Sequence, residues 1–274
     1  MSAGTGNPSS TRGLTDRIAQ KSLDLLQRAG TPATTGVIEL GPLAVDTARA
    51  AVAGFPGEEL QAAIDRLAAA DAIFTADVGT PCIWAARYLH MNGTRRLIGS
   101  FNHGSMANAL PQAIGAQASQ PGRQVVSLSG DGGLAMLLGE LITLRQQHLP
   151  VKVVVFNNGA LGFVELEMKA AGIVTYGTDL DNPDFAGIAK SAVLFGATVT
   201  KAHELEDALR AAFGHDGPAL VDVRTVRHEL ALPPKLTFGQ IKGFTLYATR
   251  TILSGGGEEL VELTKANLRE LAAE

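Results

Sequence analysis

The clearest pattern of hydrophobic and polar positions lies in the middle of the chain. Residues 125–129 form a short apolar run that ends in a glycine-rich turn at residues 130–133. Apolar residues at helical spacing follow over residues 134–147 and predict a helix. Residues 151–156 are rich in valine and predict a buried parallel strand. The unit is therefore β-α-β, and both strands end at the same edge of a sheet.

The rest of the chain continues this alternation of strands and helices. We predict strands at residues 72–76, 97–99, 197–200 and 218–223, helices at residues 58–70, 106–119, 164–172, 184–190 and 205–213, and a further helix that begins near Pro81. Such alternation predicts an α/β fold with a doubly wound, mostly parallel sheet.

Three parts follow from this pattern. Residues 1–57 form an N-terminal extension with a disordered start, a helix at residues 15–29, and a linker that holds a short helix near residues 44–53. Residues 58–238 form the α/β domain, and residues 239–274 form a helical tail.

Polar residues follow two neighbouring strands of the predicted sheet. Gly130, Asp131 and Gly132 end the first strand, and Asn157 and Asn158 end the second. Because parallel strands place their carboxyl ends at one edge, these residues should lie close together, where ligands of open sheets bind.

The residue types at this edge suit a diphosphate that is held through a hard cation. Asp131 offers a carboxylate oxygen, Asn158 offers an amide oxygen, and the loop after Asn158 can turn the carbonyl of Ala160 inward. Oxygen ligands with room for phosphate oxygens and water describe a Mg²⁺ site. Gly132 and Gly133 let backbone N–H groups approach an anion.

Three other interpretations remain open on these residues alone. Gly130, Gly132 and Ala135 fit a loose dinucleotide fingerprint, although Asp131 would then repel the pyrophosphate and the next strand lacks an acidic ribose ligand. A module that binds CoA or a nucleotide without chemistry would also use a phosphate cradle. In a purely structural interpretation, Asp131 caps a helix and Asn158 forms a turn. Their joint placement at one edge favours the metal.

Composition narrows the class of protein further. A net charge of −4 over 274 residues gives no basic surface, so nucleic acid is not expected as a partner. The single cysteine, Cys82, excludes an internal disulfide and suits a reducing cytoplasm. No run is long and apolar enough to span a bilayer, and the N-terminus lacks the order of a signal peptide. We expect a cytoplasmic enzyme core.

The glycine-rich turn and the paired asparagines together resemble the signature of thiamine-diphosphate enzymes. From about residue 60 to residue 267 the chain resembles the C-terminal, diphosphate-binding domain of bacterial pyruvate oxidases, more narrowly pyruvate dehydrogenase (quinone). The matching segments are DVGTP at residues 77–81, WAARYL at 84–89, GSFNHGSMAN at 99–108 and GALGFVELEMK at 159–169.

The resemblance implies roles for individual residues. It implies an oxidoreductase of pyruvate metabolism that decarboxylates pyruvate or a similar 2-oxo acid with thiamine diphosphate and Mg²⁺. Met106 would be the wedge that bends the cofactor, and Phe163 an aromatic over the substrate pocket; as bare sequence, each is more typical of a core residue. The implied cofactor contacts are Gly104, Ser105, Met106, Gly130, Asp131, Gly132, Gly133, Asn158, Ala160, Leu161 and Gly162, and the implied metal ligands are Asp131, Asn158 and Ala160.

The chain also departs from that family. Its members are about twice as long and carry a pyrimidine-binding domain and an FAD domain, which these residues do not match. The family activates its cofactor with a glutamate of the pyrimidine domain; no residue here matches it, and Glu140 is better explained as structural. We therefore expect a homo-oligomer or a partner subunit with a pyrimidine domain, FAD only from another chain, and no activity without that partner. The alternative is a non-catalytic cofactor-binding or assembly subunit.

Residues 240–271 resemble the lipid-responsive C-terminal segment of the family. Their acidic residues outnumber the basic ones, whereas helices that bind anionic membrane surfaces are usually basic. Packing against protein is therefore the prediction for the tail, and membrane contact is not favoured.

Overall fold

The computed structural model describes residues 56–227, residue 229 and residues 238–272. The helices predicted at residues 15–29 and 44–53 lie outside these residues. The division of the chain into three parts stays a prediction.

Six parallel strands form one sheet in the described part of the chain. The strands are β1 (Ile73–Ala76), β2 (Arg96–Gly99), β3 (Val125–Gly130), β4 (Lys152–Asn157), β5 (Phe195–Val199) and β6 (Ala219–Arg224). Their order across the sheet is β2-β1-β3-β4-β6-β5, and every neighbouring pair is parallel. This arrangement confirms the predicted doubly wound α/β fold.

Helices cover both faces of the sheet. They are α1 (Gly57–Leu67), α2 (Thr80–Tyr88), α3 (Ala109–Ser119), α4 (Asp131–Met136), α5 (Glu140–Gln146), α6 (Gly162–Ala170), α7 (Phe185–Ser191), α8 (Leu205–Phe213), α9 (Phe238–Leu253) and α10 (Gly257–Ala272), and a 3₁₀ helix (Ala202–Glu204) precedes α8. Most of these bounds fall within a few residues of the predicted ones.

The core consists of two apolar layers, one on each face. Successive residues of a strand point to opposite faces. Val153 and Val155 of β4 accordingly pack with α3, α5 and α7, whereas Val154 and Phe156 pack with α1, α2 and α8. Every residue of β4 is buried, as expected for the centre of a parallel sheet covered on both sides.

Two helices differ from their predictions. The helix predicted over residues 134–147 is two helices, α4 and α5, because Leu137 leaves helical geometry with φ −124° and ψ 35°. Leu134 and Leu141 are buried while Leu137 is exposed, so the apolar positions do not form one stripe. The helix predicted from residue 106 begins only at Ala109, because Ala107 has a left-handed backbone with φ 61°.

The strand order reverses between β1 and β3. From β1 the chain moves outward to β2 and then returns to place β3 on the other side of β1. The helix after β1 packs on one face and the helices after β3 pack on the other. The diverging loops leave a crevice at the carboxyl edge, the usual ligand site of open parallel sheets. Asp77 and Asp131 follow β1 and β3 and therefore stand at this crevice.

The two tail helices pack on the α/β domain. Helix α9 lies against α6, and Gly243 is required there, because a Cβ at this position would come within 1.7 Å of the carbonyl oxygen of Ala170. Tyr247 and Thr251 of α9 are buried. Within the described residues, no helix is long and apolar enough to cross a membrane. The expected lack of membrane contact stays a prediction.

A buried ionic cluster joins α6 to the tail. Lys169 is 1% exposed, and its Nζ lies 3.4 Å from Glu165 Oε2 and 3.7 Å from Glu259 Oε1 on α10. Glu165 Oε1 also accepts hydrogen bonds from Thr178 Oγ1 and Arg227 Nη2, both at 2.9 Å. Burial alone would raise the pKa of Glu165, but Lys169 and these two donors outweigh it and lower the pKa. The opposite charges of Glu165, Lys169 and Arg227 therefore stabilise one another.

We predict that Lys169→Met lowers the free energy of unfolding by about 3–5 kcal/mol, because Glu165 and Glu259 lose their shared cation. Urea denaturation of the full chain, followed by circular dichroism, measures this change. Lys190→Met is the matched control, since Lys190 is exposed on α7 and its removal should change stability by less than about 0.5 kcal/mol. Equal midpoints for Lys169→Met and the wild type would contradict the prediction.

A second buried lysine lies at the amino edge of the sheet, opposite the crevice. Lys152 begins β4, and its Nζ donates hydrogen bonds to the backbone oxygens of His215 and Gly217, the latter at 2.8 Å. Burial lowers the pKa of Lys152 to about 8, although the charge of Asp216 opposes this shift. Because an unfolded lysine has a pKa of about 10.4, the unfolded chain binds more protons than the folded chain between these two values.

We therefore predict that the free energy of unfolding, taken relative to Lys152→Met, rises as the pH increases from about 8 to about 10. The linkage relation limits the slope to about 1.4 kcal/mol per pH unit. Urea titrations at several pH values measure it, and Lys201→Met, which removes an exposed lysine, serves as the control. Parallel pH curves for the wild type and Lys152→Met would show that Lys152 keeps its ordinary pKa.

Candidate functional site

A cleft of about 250 Å³ opens at the crevice between β1 and β3. The predicted residues that line it are Gly104, Met106, Gly130, Asp131, Gly132, Gly133, Asn158, Ala160, Leu161, Gly162 and Phe163. Ser105 is outside this lining, and its backbone N–H donates to Ser100 Oγ at 3.2 Å. The fold thus brings the predicted residues other than Ser105 together, while their roles stay predictions.

Asp131 lies at the floor of this cleft and is only 3% exposed. Its Oδ1 accepts a hydrogen bond from Gly132 N, and its Oδ2 accepts from Gly159 N and from Asn182 Nδ2, each at 2.8 Å. Burial raises the pKa of Asp131, although these donors oppose the shift. Among the described residues, no lysine or arginine compensates this carboxylate. Its negative charge is therefore stabilised by dipoles alone.

The structure tests the purely structural interpretation, in which Asp131 caps a helix and Asn158 forms a turn, and it supports only the second of these roles. Gly130, not Asp131, occupies the cap position of α4, and no side chain caps that helix end. Asp131 is therefore not the helix cap. Asn158 does form a turn, because its Oδ1 accepts a hydrogen bond from Ala160 N at 3.1 Å. The Ala160 carbonyl accepts from Gly162 N at 3.0 Å.

Asp77 is a buried carboxylate of the cleft for which the sequence suggested no role. Its Oδ1 accepts from Ala109 N at 3.0 Å, and its Oδ2 accepts from Gly130 N at 3.2 Å. It therefore ties the end of β1 to the start of α3 and to the end of β3. Gly133 is required beside it, since a Cβ there would lie 2.3 Å from Asp77 Oδ2. The signal in the sequence was its position directly after a predicted strand, as for Asp131.

Two further polar residues behind the cleft, Asn182 and Asp222, escaped the sequence-based search, and both bond the predicted residue Asn157. Asn182 Nδ2, besides its bond to Asp131, donates to Asn157 Oδ1 at 3.0 Å, and Asn157 Nδ2 donates to Asp222 Oδ1 at 2.8 Å. Asp222 is fully buried, and its Oδ2 lies 3.5 Å from Arg224 Nη2. Burial raises the pKa of Asp222 against the opposing bond from Asn157. No pattern in the sequence marks Asn182, because it lies in a loop.

Apolar side chains form the upper wall of the cleft. Met106 lines it and is 36% exposed, which excludes the alternative that it is a core methionine. Phe163, at the start of α6, is partly exposed and lines the cleft, so it is not a core residue either. Leu161 and Met106 both reach the glycine turn, where Leu161 Cδ2 would be 2.9 Å and Met106 Cε 3.5 Å from a Cβ at Gly132. This wall can hold an apolar ring and exclude water from one side.

The oxygen atoms of the cleft are suited to a shared cation rather than to a protein-only metal site. The described residues contain no group of three His, Cys, Asp or Glu side chains that could hold a metal. Each carboxylate, amide and carbonyl oxygen has about two lone pairs. Asp131 Oδ1, Asn158 Oδ1 and the Ala160 carbonyl each accept one hydrogen bond in the structure, so each keeps one lone pair. Six-coordinate Mg²⁺ would take its other ligands from phosphate oxygens and water.

Comparison with protein families gives one match. Residues 77–223 match the family described as thiamine pyrophosphate enzyme, C-terminal TPP binding domain. This stretch contains every residue that lines the cleft, from Asp77 to Glu167, and it extends into β6.

Comparison with individual proteins gives relatives of the same kind. A thiamine pyrophosphate-containing protein of Bacillus subtilis, YdaP, is 38% identical over 209 residues, which cover 76% of this chain and 36% of that protein. An acetolactate synthase large subunit of Parasynechococcus marenigrum is 37% identical over 218 residues, 76% of this chain and 34% of that one. The acetolactate synthase isozyme 2 large subunit of Escherichia coli is 36% identical over 156 residues, which cover 56% of this chain and 28% of that protein. The chain spans about a third of the length of these relatives.

Proposed function

Since the chain belongs to the thiamine pyrophosphate enzymes and carries their C-terminal cofactor-binding domain, we propose that its cleft binds thiamine diphosphate through Mg²⁺ in an enzyme that decarboxylates pyruvate or a similar 2-oxo acid. The observation that carries the cation is Asp131, a buried carboxylate without a cationic partner among the described residues. A cation bound there would offset the cost of burying that charge.

Some residues of the cleft would bind the cofactor through charge, and others through the shape of the cleft. Asp131, Asn158 and the Ala160 carbonyl would hold the cation, and the glycine turn leaves space for the diphosphate. Met106 and Phe163 would face the rings of the cofactor and the substrate and keep water away from that side. When bound, thiamine diphosphate supplies the electron sink that accepts the electron pair released as the substrate loses its carboxyl group.

Oxidation of the decarboxylated product is the second half of the proposed reaction. It rests on the resemblance to pyruvate oxidases of residues 77–81, 84–89, 99–108 and 159–169, and FAD would come from another chain. The acetolactate synthases among the relatives favour a second candidate, the synthesis of acetolactate. Consumption of an electron acceptor for each carbon dioxide released supports oxidation, and acetolactate as the product supports the second candidate.

The partner is part of the proposal. We propose that the cleft is completed by a pyrimidine-binding domain, in a second subunit or in an oligomer, because the family takes its activating glutamate from that domain. Native mass spectrometry of the protein purified from its source separates this proposal from a non-catalytic cofactor-binding or assembly subunit. A bound subunit with a pyrimidine domain supports the enzyme, and a complex without one supports the assembly subunit.

We predict that Asp131→Asn weakens Mg²⁺-dependent binding of thiamine diphosphate by about 3–5 kcal/mol, more than a hundredfold, because a charged ligand of the cation is lost. The isosteric change is preferred to Asp131→Ala, which would leave three buried donors unpaired. Isothermal titration calorimetry with thiamine diphosphate, with and without Mg²⁺, measures it. Asp207→Asn, an exposed position on α8, is the control. Equal affinities for Asp131→Asn and the wild type, or a wild type without Mg²⁺-dependent binding, would contradict the cation site.

We predict that a protein of these 274 residues alone releases carbon dioxide from pyruvate at no useful rate, whereas addition of a pyrimidine-domain partner restores turnover. A positioned acid or base contributes about 10² to 10⁴ in rate, and here the partner supplies it. In the restored enzyme, Phe163→Ala should reduce turnover and Phe163→Leu should retain more of it, since leucine keeps an apolar wall. Robust turnover by the chain alone would contradict the prediction, and Glu167, an acid that lines the cleft, would then be the first residue to test as the acid.

A further inference from the structure

One side chain amide joins the two loops that carry the proposed cation ligands. Asn182 Nδ2 lies 2.8 Å from Asp131 Oδ2, after β3, and 3.0 Å from Asn157 Oδ1, at the end of β4. Asn157 directly precedes Asn158, the second proposed ligand. An amide nitrogen carries two hydrogens, so these two bonds use its full donor capacity.

The direction of these hydrogen bonds is forced by the groups at the two ends. Asp131 and Asp222 are acceptors when ionised. Asn157 must therefore turn its Nδ2 toward Asp222, at 2.8 Å, which leaves its Oδ1 facing Asn182. Asn182 must then present its nitrogen to both neighbours. An aspartate, a glutamate or an apolar residue at position 182 could not replace it.

The backbone around Asn182 is held before any ligand binds. Pro183 follows it and restricts it to extended conformations, and Asp184 then caps α7 by accepting a hydrogen bond from Gly187 N. On the other side, Leu180 N donates to the carbonyl oxygen of Gly159 at 2.9 Å, in the loop of the proposed ligands. The backbone of Asn182 is therefore held on both sides.

We propose that Asn182 is a positioning residue for the cation site, where it orients Asp131 and fixes the strand end that presents Asn158. The inference rests on the proposed function of the cleft. Asn182 fills one side of Asp131, so that Oδ2 accepts two hydrogen bonds and Oδ1 keeps the free lone pair. Loss of this amide leaves Oδ2 of Asp131 with only the Gly159 N–H and removes the bond to Asn157 Oδ1. The two strand ends are then held together less tightly, which lowers the affinity for the cation.

The test is a calorimetric titration of thiamine diphosphate into the full chain at a series of Mg²⁺ concentrations. Asn182→Ala should raise the Mg²⁺ concentration for half-maximal binding about tenfold or more, the effect expected for one hydrogen bond to a charged group. High Mg²⁺ should restore the binding of thiamine diphosphate to nearly the wild-type level. Asp181→Ala, an exposed neighbour, is the matched control and should behave as the wild type.

The outcomes separate a positioning role from a structural one and from failure of the cation site. A loss of affinity that is the same at every Mg²⁺ concentration, or no loss at all, would overturn the role of Asn182 while leaving the cation site in place. A wild type without Mg²⁺-dependent binding would overturn both. Melting of each variant without ligands shows whether it is folded at the temperature of the titration. Should Asn182→Ala not fold, Asn182→Ser, which keeps one donor, should show a smaller shift in the same direction.

Discussion

The carboxyl edge of the sheet is organised by buried carboxylates that have backbone N–H groups as their partners. Asp131 draws donors from three separate segments, and Asp77 connects β1, α3 and β3. Burying a charge in this way is costly unless it is well satisfied. The loops after the strands therefore converge on these oxygens, and the negative charge that remains at the cleft favours a cation and, through it, an anionic ligand.

The sequence predicted the sheet and the residues at its edge for different reasons. Valine-rich runs such as residues 151–156 favour buried strands between two layers, and their alternation with helical segments predicted the fold. Asp131 and Asn158 were predictable because the ends of parallel strands must meet. Asn182 was not, because a loop can return to the cleft by many paths and no periodicity records which one it takes. The break at Leu137 was missed for a related reason: apolar spacing does not reveal which leucines are exposed.

Helix α6 and the segment after it connect the cleft to the tail. Phe163 at the start of α6 lines the cleft, whereas Glu165 and Lys169 of the same helix lie in the ionic cluster. Thr178 binds Glu165, and four residues later Asn182 binds Asp131. One short segment thus contacts both the cluster and the floor of the cleft.

The carboxylates of the cleft differ in their burial and in the groups that hold them. Among the described residues that line it, the acids are Asp77, Asp131 and Glu167. Asp77 and Asp131 are buried and accept hydrogen bonds from backbone N–H groups. In the proposed function Asp131 would stay charged to hold the cation, and such a group is poorly suited to exchange protons with a substrate. Glu167 is exposed and lies on the same helix as Phe163. In the proposed function, the cleft would supply charge and shape for binding, and the pyrimidine-binding domain of the partner would supply the proton donor from across its open side.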